Sequence, residues 1–85
     1  MKLWIRAKNN EKLVLNQLVQ NDKPITVENL TIVLMDLCDK FDMPTPVVTQ
    51  NNVDNLAEFN YTRFKQRDFL EKISFDYLEI SNIPK

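Results

Sequence analysis

"KLWIRAKNNEKLVLNQLVQ", residues 2–20, reads as two strands joined by a tight turn. From Lys2 to Lys8 the chain alternates, with Leu3, Ile5 and Ala7 on one face and Lys2, Trp4, Arg6 and Lys8 on the other. A period of two marks a strand with one buried side. Asn9-Asn10 supplies the turn, because asparagine tolerates the left-handed backbone region that glycine usually fills in tight hairpins, and the chain has no glycine. Lys12 to Gln20 is the returning strand. Its apolar residues fall in two phases, Leu13, Leu15 and Val19 against Val14 and Leu18, which calls for a bulge or a second covered face.

Beyond the hairpin, "NDKPITVENL" leads into a helix. Thr26 is a good N-cap, and Ile25 with Leu30 has the spacing of a hydrophobic staple. The helix is expected from Val27 to Phe41, with Pro44 setting its end. At about 100° per residue, Val27, Leu30, Val33, Leu34, Leu37, Cys38 and Phe41 share a broad face. Glu28, Asp36 and Asp39 point away, and Ile32 and Met35 fall on that acidic side. Either a later segment covers these two or they stay exposed for a partner.

"PTPVVTQ" is expected as a short strand at a sheet edge, where prolines are tolerated. Val53, Leu56 and Phe59 recur every third residue, which suggests a turn or two of helix over 51–60 lying on the core. "KQRDF" is expected to add another helical turn. Lys72 to Ile83 has strand composition in two phases, Ile73, Phe75 and Tyr77 and then Leu78 and Ile80, as a bulge would produce. The expected order is β-β-α-β-short helix-β. It describes a single α+β domain over residues 1–85, with about four strands in an antiparallel or mixed sheet and one main helix on one face.

Composition limits the chemistry. Leu, Ile, Val and Phe make up about a third of the 85 residues, enough for one core. The net charge of −1 is unevenly spread: residues 1–24 carry five lysines or arginines against two acids, 25–60 one against six, and 61–85 five against four. The longest unbroken apolar run, Ile32 to Met35, is far too short to cross a bilayer. Arg6 and Lys8 interrupt the N-terminal apolar residues too soon for a secretory leader. One cysteine excludes an intrachain disulfide, so the expected location is the reducing cytoplasm. With no histidine, the usual general base and the commonest transition-metal ligand are missing. Without glycine, phosphate-cradling loops are ruled out as well. Cys38 lies among apolar residues, which raise a thiol's pKa. The acids at Asp36, Asp39 and Asp42 follow the spacing of a solvated helix face. No enzyme, cofactor or metal is expected.

Six of the eight aromatics lie in "EFNYTRFKQRDFLEKISFDYLEI", residues 58–80. Phe59 is assigned to the core with Val53 and Leu56, and Phe75 with Ile73, while one of Phe69 and Leu70 plugs an edge. Burying an aromatic contributes on the order of 2 to 3 kcal/mol, so core filling accounts for most of the cluster. It leaves "TRFKQR" unexplained. There Arg63, Lys65 and Arg67 alternate with Phe64 and Gln66, and Arg63 is expected to pair with Asp68 or Asp76.

Two functions follow as expectations. The first is a small non-catalytic module that acts through protein contacts, with a homo-oligomer as its simplest form. It would use Trp4, Ile32 and Met35 and an uncovered edge near Pro44 and Pro46. The second is single-stranded nucleic-acid binding by a basic and aromatic sheet surface, if Arg63, Lys65 and Arg67 neighbour Trp4 and Arg6. An acidic pI near 5.3 weighs against the second.

"TRF" at Thr62 to Phe64, "DFLE" at Asp68 to Glu71 and "SFDYLE" at Ser74 to Glu79 resemble a group of short bacterial proteins of unknown function, mostly from low-GC Gram-positives. The resemblance extends over nearly the full length, and the chain departs from the group mainly in its richness in Asn and Lys. It implies a bacterial, cytoplasmic protein and supplies no activity or catalytic residue.

Overall fold

A computed structural model describes residues 2–83. The first hairpin pairs β1 (Lys2–Asn9) with β2 (Lys12–Gln20). Asn10 and Glu11 form its turn, both at positive φ, one residue later than the sequence suggests. The register shifts between Ala7 and Lys8, where Leu15 and Leu13 are the successive partners. Val14 is therefore the extra residue of a bulge, which resolves the mixed phase of β2. Leu15 is buried beside Ala7, whereas Leu13, Val14 and Leu18 are exposed.

α1 (Val27–Lys40) starts where Thr26 Oγ1 accepts the Asn29 N–H at 3.0 Å. Its C-terminus is closed by the backbone before Pro44 is reached. Met43 N–H donates to Cys38 O at 2.8 Å and Asp42 N–H to Asp39 O at 3.2 Å, with Asp42 at φ 57°. That is the Schellman arrangement, with aspartate at the position glycine normally holds. Asn60, φ 57°, closes α2 (Gln50–Phe59) with the simpler left-handed cap, its N–H donating to Leu56 O at 3.1 Å. A chain without glycine thus places Asn, Asp and Glu at its left-handed positions. A non-glycine residue there costs on the order of 1 kcal/mol.

After α2 come β3 (Tyr61–Phe64), a 3₁₀ turn at Gln66–Asp68 and β4 (Tyr77–Ile83). The sheet is antiparallel throughout, in the order β2-β1-β4-β3. This is an α+β fold with four strands, one main helix and one shorter helix.

Two elements differ from expectation. Residues 44–49 form no strand, so Pro44 and Pro46 do not border a sheet edge. The segment crosses the molecule with Pro46 and Val48 buried, and Val47 N–H donates to Asp68 O at 2.8 Å. The third strand is instead Tyr61–Phe64, after the second helix. The last strand begins only at Tyr77. Ile73 and Phe75 reach the core from the preceding bends, so the phase change marks a strand start and not a bulge.

Both helices and the 65–76 segment cover one face of the sheet. Leu3, Ile5, Ala7, Phe64, Leu78 and Ile80 from the strands meet Leu30, Leu34, Leu37 and Cys38 from α1, and Val53 and Leu56 from α2. Phe69 and Phe75 complete this core as an edge-to-face pair with centroids 5.7 Å apart. Leu70 is the member of its pair left outside, 92% exposed. Asn52, buried on α2, donates to Thr62 Oγ1 at 3.0 Å and ties that helix to β3.

Candidate functional site

Among the described residues no element lies over the other face of the sheet. Strand alternation and register decide what stands there. Trp4 is opposite Leu18 and Ser81, and Ser81 is opposite Tyr61. In the next row Arg6 is opposite Asn16 and Glu79, and Glu79 is opposite Arg63. Lys8 is opposite Leu13 and Tyr77. β1 and β3 therefore bring Trp4, Arg6 and Arg63 onto one surface.

Glu79 is its centre. The residue is 4% exposed, roofed by the side chains around it. Arg6 Nη2 lies 2.9 Å from Oε1, and Arg63 Nη2 lies 3.4 Å from Oε2. Tyr61 Oη donates to Oε2 at 2.6 Å and accepts from Arg63 Nε at 2.7 Å. Each guanidinium also stacks on a ring, Arg6 3.9 Å from the Trp4 centroid and Arg63 4.1 Å from that of Tyr77. The Trp4 indole donates to Asn16 Oδ1 at 2.6 Å. Burial, helped by the hydrogen bond to Glu79, raises the Tyr61 phenol above its ordinary pKa and keeps it a donor. A carboxylate buried in a sheet face is tolerable only when paired and hydrogen-bonded, and here both conditions hold. Arg63 pairs with Glu79 and not with Asp68 or Asp76. Asp68 accepts the Lys65 N–H, and Asp76 accepts the Asn10 N–H.

Two flanks continue this surface. On the β2 side Leu18 is 62% exposed next to Trp4, and Leu13 and Val14 are exposed further along the strand. On the β3 side Phe59 is 68% exposed, which corrects its assignment to the core. Threefold spacing keeps one face only in a 3₁₀ helix; in the α-helix that forms, each step of three slips about 60°. Two steps carry Phe59 about 120° away from Val53. It lines a groove of about 530 Å³ together with Asn55, Tyr61, Arg63, Lys65 and Arg67.

Ile32 and Met35 stand on the solvent side of α1, 49% and 53% exposed, in the other layer from Trp4. Of the residues singled out from sequence, Trp4, Arg6 and Arg63 are brought together, Lys65 and Arg67 adjoin them, and Ile32 and Met35 do not. Glu79 and Asn16 were missed. Tyr61 and Tyr77 were counted in the aromatic cluster without a role, and Tyr77, expected in phase with the buried Ile73 and Phe75, stands on the open face instead, opposite Lys8 and under Arg63. The alternation in "YLEI" places Glu79 opposite in phase to Leu78 and Ile80, but only the β1–β4 register says that Arg6 stands beside it.

Cys38 is fully buried, and burial pushes its thiol pKa up against a smaller opposing hydrogen bond from Thr45. Asp42 and Glu71 line an open depression, both exposed. No helix is long and apolar enough to cross a membrane among the described residues. No protein-family model, curated protein or solved structure matches the chain.

Proposed function

We propose that the protein is a small non-catalytic module of the cytoplasm that acts through protein contacts, and that its contact element is the free edge of β2, which pairs with a second copy. The observation that carries this reading is the composition of that edge. From Leu13 to Asn21 the chain bears no charge, and among the described residues β2 has no neighbour on its outer side. Natural sheets guard a long edge with lysine, proline or shortness, because bare N–H and C=O groups are a template for another strand. Here the guards are Lys12 and the Val14 bulge, both near the hairpin turn, which leaves Leu15 to Gln20 regular and uncharged. Antiparallel pairing of two β2 strands about a two-fold axis joins the sheets and covers Leu18 beside Trp4. The likeness of residues 62–79 to short bacterial proteins adds no ligand to this reading.

Sedimentation velocity from roughly 1 to 300 µM tests it, the range in which small interfaces register. A concentration-dependent dimer is expected, and Leu18→Lys is expected to return it to monomer with an unchanged circular dichroism spectrum. A monomer throughout that range sinks the proposal.

A further inference from the structure

We infer that the groove beside β3 is a binding site for single-stranded nucleic acid, independent of the β2 edge. Among the described residues its walls carry Arg63, Lys65 and Arg67 and no acidic side chain, while Phe59 and Tyr61 offer rings between them. Among the described residues Lys65 and Arg67 have no ion-pair partner, and both are exposed. Phe59 is 68% exposed although buried positions stand one turn away on the same helix.

Charge and ring together narrow the occupant. An acidic peptide would pair with the three cations and leave the Phe59 ring bare. An apolar partner would cover the ring but strip water from the cations without replacing it. Double-stranded nucleic acid offers phosphates, but its base faces are already stacked on one another. A single strand supplies both groups at once, phosphates for Arg63, Lys65 and Arg67 and a base face for Phe59 or Tyr61. The open sheet face continues the path, since Lys2, Arg6 and Lys8 stand on it, with Glu79 as the one carboxylate its described strands place there. With a net charge of −1, long-range attraction is slight. The attraction is local, and salt screens it readily.

Fluorescence anisotropy with labelled single strands of about twelve nucleotides, DNA and RNA, tests this against the matching duplex and heparin. Between roughly 20 and 200 mM salt, three phosphate contacts give a slope near −2 in log K against log salt. Lys65→Ala with Arg67→Ala is expected to reduce that slope to about −0.7. Phe59→Ser is expected to weaken binding about tenfold with the slope unchanged, the signature of a lost stacking contact. All three positions are exposed, so the variants keep the fold, which circular dichroism verifies. Leu18→Lys is expected to bind like the parent, which separates this site from self-association. The inference is overturned by any of three results: no binding at the lowest salt, duplex or heparin bound as tightly as the single strand, or Phe59→Ser without effect.

Discussion

The β2 edge runs for nine residues with no charge after Lys12, and shows leucine and valine to solvent. The β3 edge is four residues long, carries Arg63 and passes directly to Lys65 and Arg67. Both border the same sheet, two strands apart across β1 and β4. A short cationic edge repels a second copy of itself and attracts anions, whereas a long uncharged one invites another strand. Glu79 lies between them on β4 and pairs with an arginine from each side, Arg6 from β1 and Arg63 from β3, one carboxylate for two cations, so a net positive charge remains.

The largest effect is expected from breaking that centre. Glu79→Gln leaves two guanidinium groups without a counter-charge above a nearly closed site. Removing one partner of a buried pair costs on the order of 3 to 5 kcal/mol. Arg6 and Arg63 keep part of their surface in water, with side chains 20% and 40% exposed, so about 2 to 3 kcal/mol is expected in urea unfolding. Adding Arg6→Met should recover part of the loss, and a double-mutant cycle measures how much. Additive costs would mean that the arginine and the carboxylate are not coupled.

Next in size is Leu18→Lys at the β2 edge. A lysine there brings a like charge from each copy into the interface, and a dissociation constant at least tenfold higher is expected, with folding stability within about 0.5 kcal/mol of the parent. Salt then separates the two edges without any substitution. Raising it should leave β2 pairing unchanged or slightly tighter, since no charge is involved, while it weakens anion binding at β3. Parallel loss of both activities would show that a single charged surface serves both, against the division drawn above.

Much of this contrast could be read in the residues, and the unread part has a common cause. Alternation in Lys2 to Lys8 and the threefold-fourfold pattern of α1 are local signals, and both elements form where expected. Thr26 caps α1 and Ile25 packs against the core, again from local spacing. The segment 44–49 misleads because β-branched valines just after two prolines look like an edge strand, while Val47 satisfies its N–H on Asp68, a partner distant in sequence. Tyr61–Phe64 is too short to announce itself as a strand and exists because β4 pairs with it. Arg63 was legible as an odd cation and Trp4 as an odd ring. Glu79 was not, since its role depends on register across three strands.

The smallest effect concerns the contact that ties the two halves of the surface together. Asn16 on β2 accepts the Trp4 indole N–H at 2.6 Å, and Trp4 in turn carries the Arg6 guanidinium. Asn16 is exposed, so water replaces it when Asn16→Ala removes the acceptor, and the expected loss of stability is only about 0.5 to 1 kcal/mol. The informative readout is Trp4 emission, since the chain has a single tryptophan. In the monomer a freed indole should shift to the red and quench more readily with acrylamide. In the dimer the shift should vanish if Leu18 and its two-fold mate shield the ring, because the cover then comes from apolar side chains and not from the lost bond. Should Asn16→Ala weaken association as strongly as Leu18→Lys, the β2 edge would be held by its polar residues, and the contrast with β3 would have to be drawn in hydrogen bonds instead of charge.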